Sequence, residues 1–464
     1  MALSWKSFAQ LFDFRKKEVG EAQDLSKELT AAVRGSVRPP FDPLVAAGLT
    51  PQSLAAMLKN AASGDHEKYL LLAREMEQRD GHYYSVLQTR KMAVAQLPRH
   101  IEAPKEGADE KLVDTLTGII NGRGFSNVLI NILDGVGKGY SVQEIIWDTA
   151  GEKGRLWMPQ AIKYRRPQWF RYSDIDGETL MLIGDDGKDV PLAPFKFIVH
   201  QPQVLSGLPV AGGLARQVAA YHLFKSYVLR DWMGFAEVFG QPMRIGKFPK
   251  GADPADVDTL RQALMDLGAD TCAVMPAGME IQFERAANSG FASGDDFYLK
   301  FAEWLNKEIS KIVLGQTMTS EDGSSLAQAK VHDDVRKDIR NADAVQLADT
   351  INRDLIQPWV DLNFGPRASE HEYPKFCIDT EDPEDLTAFA TAIAPFIDRG
   401  LPVEAAQVLD KFGLEEPEDG AVLLASNAKN VNEVTLKGVK PPPLPESAGP
   451  DGKPKPKAKP SGDS

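Results

Sequence analysis

The sequence predicts an α+β fold dominated by helices, and three observations carry that prediction. Helical apolar spacing governs residues 50–137 and 297–364, while a block from 141 to 200 switches to the alternation of strands. Between them, residues 241–293 hold a compact strand–helix–strand pattern. No internal repeat is visible.

At 464 residues the length suggests about three domains. Hydrophobic residues make up 43% and charged residues 26%, the balance of a soluble chain with a real core. A formal net charge of −13 argues against gripping nucleic acid through a basic face, though not against letting DNA slide past. Cys272 and Cys377 lie far apart without CxxC or Cys/His spacing, so no disulfide framework or zinc site is expected. A reducing compartment is the default. The N-terminal MALSWKSFAQLFDFRKK is broken by Lys6, Gln10 and Asp13 and places its basic cluster last, unlike a secretory signal. No run approaches the roughly 18 apolar residues of a membrane helix, so a soluble, cytoplasmically made chain is expected.

Residues 1–50 read as a loosely structured arm with RGSVRPPFDP as an extended linker. TPQSLAAMLKNAASG starts a helix with Thr50 as cap and Pro51 in the first turn. A heptad-like segment from Asp65 to Leu97 follows, then a helix pair over 109–137 interrupted by NGRGF. SVQEIIWD, QAIKYRRPQWFRYS, TLMLIG and FKFIVHQP read as strands, with turns at Asp176–Gly177 and Asp185–Gly187. Glycine-rich LSGLPVAGGLARQ leads into a helix over about 214–239, its apolar faces supplied by Leu223, Phe224, Tyr227, Val228 and Phe235. The α/β unit comprises PMRIGKF, a helix over 254–267 capped by Asp253 and closed by Gly268, then TCAVMP and EIQFER.

Phe301, Leu305, Ile309 and Ile312 form one helical stripe that ends at Gly315. GQTMTSEDGSSLAQ then has no hydrophobic period. Val331, Val335, Ile339, Ala342, Val345, Ala348, Ile351 and Leu355 restart it and hold it to Pro358. A long polar loop between strong helices costs ordering entropy and points to function, as an enzyme lid or as a pore lining. Residues 383–413 form a short helical module broken by Pro395 and Pro402. The Pro/Lys-rich tail beyond about 430 is expected to be disordered or polyproline-like, its lysines at 453, 455, 457 and 459 serving solubility rather than contacts to phosphates or an acidic partner.

No catalytic constellation emerges. GGLARQ (212–217) lacks the P-loop and dinucleotide patterns and reads as a flexible lead-in to a helix. His200 reads as a satisfied strand-end histidine, and Asp185/Asp186 and Asp295/Asp296 as solvated turn acids. Cys272 is expected to be a buried small hydrophobe. Ser320, Ser324 and Ser325 have no GxSxG elbow. KYRRPQWFRY mixes cations and aromatics as single-strand binders do, but an edge strand with a wet basic side explains it as well. The charges of the long helix, Asp333 to Arg340, suit lateral subunit ion pairs or a solvated face equally.

In order, YRRPQWFRYSDIDG (164–177), KFIVHQPQ (196–203), GLPVAGGLARQ (207–217) and LGQTMTSEDGSSLAQAKVHDDV (314–335) resemble tailed-bacteriophage portal proteins of the Mu-like family. The Gly-Gln-Thr start and the Gly-Ser-Ser before a long helix look like that family's most recognisable stretch. The resemblance spans roughly 40–425 and rests on the succession, since no single motif is as specific as a Walker sequence.

The resemblance implies an N-terminal arm (1–40), a mostly helical wing (41–213), stem helices (214–240 and 294–314) and a small α/β clip (241–293). A tunnel loop (315–327), further wing (328–382), a helical crown (383–430) and a tail (431–464) complete it. It also implies a homo-oligomeric ring, dodecameric in the family, at one capsid vertex of the virion and in the host cytoplasm during assembly. Such a ring conducts double-stranded DNA in packaging and ejection. Its partners would be the terminase large subunit, the major capsid protein and head–tail connector or neck proteins, with no membrane, cofactor or metal. Gln316, Thr317, Thr319, Ser320, Gly323, Ser324 and Ser325 would line the DNA channel. Uncharged groups touch phosphates weakly, Glu321 and Asp322 repel them, and strong Lys/Arg pairing would stall passage. Two alternatives are a connector ring without motor contact and an enzyme with 315–327 as its lid. For the second the loop region offers only Glu321, Asp322 and His332.

Overall fold

The computed structural model describes residues 25–33, 36–41, 43–46, 48–104, 110–148, 156–239, 244–266, 272–277, 294–317, 326–381, 386–400 and 403–414. Its chain divides into two compact units, Met1–Thr380 and Glu381–Ser464.

In the first unit, α1 (Pro51–Ala62) starts on a capping box in which Thr50 and Ser53 exchange hydrogen bonds. The heptad-like segment is two helices, α2 (Glu67–Arg79) and α3 (Gly81–Ala95). Asp80 breaks them: its backbone is extended, and its carboxylate accepts the N–H groups of His82 and Tyr83, each at 3.1 Å. Strand β1 (Arg99–Glu102) and helices α4 (Glu110–Ile120), α5 (Phe125–Ile132) and α6 (Asp134–Lys138) follow. Strand β2 (Ser141–Asp148) is buried up to its last residue because it is the centre of an antiparallel sheet. Its neighbours are β3 (Met158–Arg165) and, later in the chain, β7. Strands β4 (Phe170–Tyr172), β5 (Leu180–Ile183) and β6 (Asp189–Pro191) form a second antiparallel sheet before β7 (Phe197–His200).

Helix α7 (Leu214–Phe239) leads to a parallel pair, β8 (Arg244–Phe248) and β9 (Cys272–Pro276), joined through α8 (Pro254–Asp266). Helix α9 (Gly294–Leu314) precedes α10 (Leu326–Ile351), a π-turn (Asn352–Ile356) and α11 (Gln357–Phe364). Strand β10 (Lys375–Ile378) pairs antiparallel with β1 and ends the unit's regular structure. The second unit holds α12 (Leu386–Asp398) and α13 (Ala405–Lys411), with Phe389 packed on Phe412 at 6.2 Å.

Several expectations need correction. The arm is not loose where it is described, for Glu144 of β2, fully buried, gathers it in. Glu144 accepts Leu29 N (2.5 Å), Thr30 N (3.1 Å), the Thr30 hydroxyl and Arg165 Nε (3.0 Å). Lys196 Nζ donates to Leu25 O and Lys27 O, both at 2.6 Å. An irregular segment lacks ladder partners, so buried charges on the sheet supply them. KYRRPQWFRY is not one strand either: Pro167–Trp169 form a 3₁₀ turn between β3 and β4. Arg165 lies buried beside Glu144 and Glu28 rather than on a wet face.

GGLARQ does lead into a helix, α7 from Leu214, but its glycines make a tight crossing rather than a flexible one. A Cβ on Gly213 would sit 2.4 Å from the Lys138 carbonyl carbon and 2.6 Å from Gly139 N, so only glycine lets the two backbones touch. Pro358 does not stop the long helix but opens α11 after the π-turn, and Pro395 lies within α12. The apolar stripe of α10 is rotated as well: Ala344, Leu347 and Ile351 are buried, while Val335 and Val345 are exposed. Asp295 and Asp296 belong to the first turn of α9 rather than to a loop. Gly268, Pro402, EIQFER and the lysine tail lie outside the described residues, as does the Cys272 side chain.

The π-turn ties two sheets together. Asn352 exchanges two hydrogen bonds with the backbone of Phe376 on β10 (2.7 and 3.0 Å), and Asp354 accepts Val199 N of β7 (2.9 Å). One residue of added winding turns neighbouring side chains toward different strand edges.

His200, expected to be satisfied, is so at one nitrogen only. The Thr350 hydroxyl donates to Gln346 O, so His200 Nδ1–H donates to Thr350 Oγ1 at 2.9 Å. Nε2 is buried without a partner. Burial, then the positive Arg353, pushes the His200 pKa down to about 3. A buried histidine that refuses a proton contributes stability above the unfolded pKa of about 6.5, which is lost as pH falls below it. Between pH 7 and 5 this one group should remove about 2 kcal/mol, a loss that the unshifted reference of a His200→Gln variant lacks. Urea titrations of both proteins at the two pH values measure the difference.

Candidate channel loop and the helices that carry it

Helices α7 and α9 pair antiparallel, since Tyr221 meets Trp304 and Phe235 meets Tyr298. Val228, Ala302 and Leu305 fill the seam between them. With 26 residues, α7 is about 39 Å long. Both helices are tethered at the α2–α3 break. Asp80 accepts Lys225 Nζ (2.7 Å) and His222 Nδ1 (3.3 Å) from α7. Burial opposes ionisation of Asp80, but the His222 and Lys225 contacts outweigh it and hold the carboxyl well below its usual range. Two residues on, His82 Nε2 lies 2.8 Å from the buried Ser310 hydroxyl of α9.

At the end of α9, Arg90 of α3 forms a clamp. Its Nε and Nη2 grip Asp343 of α10 in a fork (2.6 and 2.9 Å), and Nη1 donates to Val313 O at 2.8 Å. The last carbonyls of a helix lack intrahelical donors, so this guanidinium caps α9 while pairing with α10. Asp343 is 3% and Arg90 10% exposed, which places the pair in the interior. Gly315 then turns the chain with φ +70°, and a Cβ there would lie 2.9 Å from Ile339 of α10. The left-handed geometry favours glycine where the loop begins, while Ile339 meets it only with the flexible tip of its side chain.

Of the loop residues expected from the sequence, Gln316 and Thr317 are described and half-buried, the Gln316 Oε1 turned inward without a partner. Thr319, Ser320, Gly323, Ser324 and Ser325 lie outside the described residues, with Glu321 and Asp322. His332 falls within α10, its side chain not described. Asp333 pairs with Arg336 (2.7 Å) and Lys337 (3.0 Å) on its own helix. Among the described residues, no group of three or more His, Cys, Asp or Glu could hold a metal ion. No described helix is long and apolar enough to cross a membrane.

The sequence reading missed the Arg90–Asp343 clamp. Its signal was present: Arg90 and Asp343 are charged residues at helical spacing from buried Val86 and Leu347, where an apolar residue belongs.

The exposed face of the pair is aromatic. Phe297, Phe301 and Trp304 follow one another along α9 at ring distances of 6.2 and 6.0 Å, with Phe297 51% and Trp304 50% exposed. On α7, Phe224, Leu229 and Met233 are exposed as well. The α9 row is a contiguous exposed apolar surface, the kind that marks an interaction site.

The profile of the portal protein of Mu bacteriophage matches residues 70–414. The portal protein of Escherichia phage Mu is 33% identical over 413 residues, covering 88% of this chain and 77% of that one. The chain belongs to the Mu-type phage portal family. Protein gp29 of the Mu-like prophage FluMu in Haemophilus influenzae is 32% identical over 391 residues, covering 83% and 74%. Among solved structures, a chain in the neck of a native gene transfer agent particle overlaps at TM-score 0.44 and 12% identity, covering 79% and 95%. That overlap is too loose to bear on function. The mixed helical and stranded architecture is the α+β class read from the sequence.

For this portal-family chain the clamp predicts how the loop base responds to mutation. Asp343→Ala leaves the Arg90 charge buried and unpaired, and should cost about 3–5 kcal/mol. Asp343→Asn, which keeps an acceptor, should cost less. Denaturant titration reads the stability, and hydrogen exchange should show faster opening at Val313–Thr317 in both variants.

Proposed function

We propose that this chain is the portal subunit of a tailed-phage virion, assembling as a ring at one capsid vertex. Its function is to conduct double-stranded DNA during packaging and ejection. The observation that carries this reading is the aromatic face of the α7–α9 pair. Phe297, Phe301 and Trp304 leave 51%, 36% and 50% of their surface exposed in a lone subunit, and a neighbouring copy in a ring would bury that surface. Family membership gives that neighbour its identity. A twelve-fold ring is the family expectation.

In this assignment α7 and α9 are the stem, the β8–α8–β9 unit is the clip and residues 315–327 are the tunnel loop. The helices and sheets from 41 to 213 and from 328 to 382 form the wing, and 383–430 the crown. The terminase large subunit and neck proteins would dock on the clip, and the major capsid protein outside the wing. Net charge −13 suits a conduit, since an acidic ring repels the phosphates it must release. The loop's hydroxyl and amide groups then give weak, sliding contacts. The role is structural, with no chemistry assigned to any residue.

Two sets of substitutions test the assignment. Phe301→Ser with Trp304→Ser should leave a folded monomer by circular dichroism and abolish rings in native mass spectrometry. Replacing Gly323, Ser324 and Ser325 with lysine should leave rings intact while impairing DNA retention or passage. Rings from the aromatic variant, or loss of rings from the loop variant, would contradict the assigned roles.

A further inference from the structure

A cavity of about 710 Å³ opens in the first unit between α2, α3, α6 and β3, remote in sequence from the loop. Four cations line it, Arg74, Lys91, Lys138 and Arg166, against two carboxylates, Glu77 and Asp134. In a chain of net charge −13 this local cation excess is unusual.

The two lysines of its floor differ sharply. Lys138 Nζ is saturated, with both Asp134 oxygens (2.7 and 2.8 Å) and Glu77 Oε1 (2.8 Å) as acceptors. Asp134 also accepts the Tyr164 hydroxyl at 2.8 Å. Lys91, 5% exposed, reaches only Asp134 Oδ1, at 3.3 Å. An ammonium carries three donors, and burying one without acceptors is costly. The unused donors of Lys91 therefore need acceptors that the described residues do not supply. Above them the walls are aromatic: Tyr84 is 51% exposed, and the Arg166 guanidinium lies 5.7 Å from the Trp169 ring.

We propose that this cavity binds an acidic peptide segment of a partner chain, with Lys91 taking a carboxylate and Tyr84 and Trp169 flanking the segment. Its volume lies within the range of about 300–1,000 Å³ typical of ligand pockets, and far exceeds what one free oxyanion fills. A nucleic-acid strand fits less well. Two carboxylates in the wall oppose successive phosphates, and the lining is a single recess rather than a basic stripe.

The test uses the full-length protein and fluorescein-labelled hexaglutamate, read by anisotropy. One site per chain is expected, weakening with salt. Lys91→Met should weaken binding at least about tenfold, the size of one lost charge-assisted hydrogen bond, and Lys91→Arg should restore most of it. Tyr84→Ala, on the exposed rim and harmless to the core, should weaken it several-fold. Unchanged binding in both Lys91→Met and Tyr84→Ala overturns the proposal. So does inorganic phosphate competing at the peptide's own concentration, or an oligothymidylate binding in its place. Ring assembly followed on the same variants separates this outcome from the portal assignment, on which the cavity does not depend.

Discussion

The Arg90–Asp343 pair is the contact on which the rest of the arrangement depends. A single guanidinium from α3 joins α10 through its carboxylate and α9 through the last-turn carbonyl of Val313. The start of the loop and the middle of α10 are thereby referred to one helix of the core. The pair is nearly dry, so its attraction is screened little by salt, and desolvation has already been met on folding. Asp80 and His82 repeat the principle one element earlier, holding α7 and α9 from the break between α2 and α3. Two long helices could slide on a narrow apolar seam of Val228, Ala302 and Leu305, and polar anchors of fixed geometry set their register.

The same economy governs the irregular parts. The described residues between 25 and 46 have no strand or helix to satisfy their backbone, yet Glu144, Lys196 and Glu75 bind it from the core. The π-turn serves the opposite edge, where Asn352 and Asp354 meet two separate sheets. In the proposed ring such joints would have to be stiff, because each loop would face the axis at the same height in every copy.

Much of this was legible in sequence. The Thr50 cap, the strand block from 141 to 200, the β8–α8–β9 unit and the Gly315 stop all follow from local chemistry, and the structure places them there. What was not legible depends on distant partners. Val345 sits on the apolar period of α10 but faces out, because Asp343 and Ala344 turn inward toward Arg90 and the core. Pro358 looked like a stop, yet the π-turn before it frees the backbone that a proline cannot satisfy. The arm looked loose because its acceptor, Glu144, lies more than 100 residues away. The candidate loop itself was found from the loss of period after Gly315, while the clamp beneath it needed a contact across 253 residues.

The portal account joins an aromatic helix face that a lone subunit leaves in water to a polar loop carried on a clamped base. Its central claim is spatial: copies close into a ring through α7 and α9, and residues 315–327 point to the axis. The most direct measurement is a cryo-electron microscopy reconstruction of the assembled protein viewed along its symmetry axis. The account predicts a closed ring with Phe297, Phe301 and Trp304 between subunits and the loop at the narrowest part of the bore. A ring whose loops lie on its outer rim, or a protein that stays monomeric under every assembly condition, would contradict it.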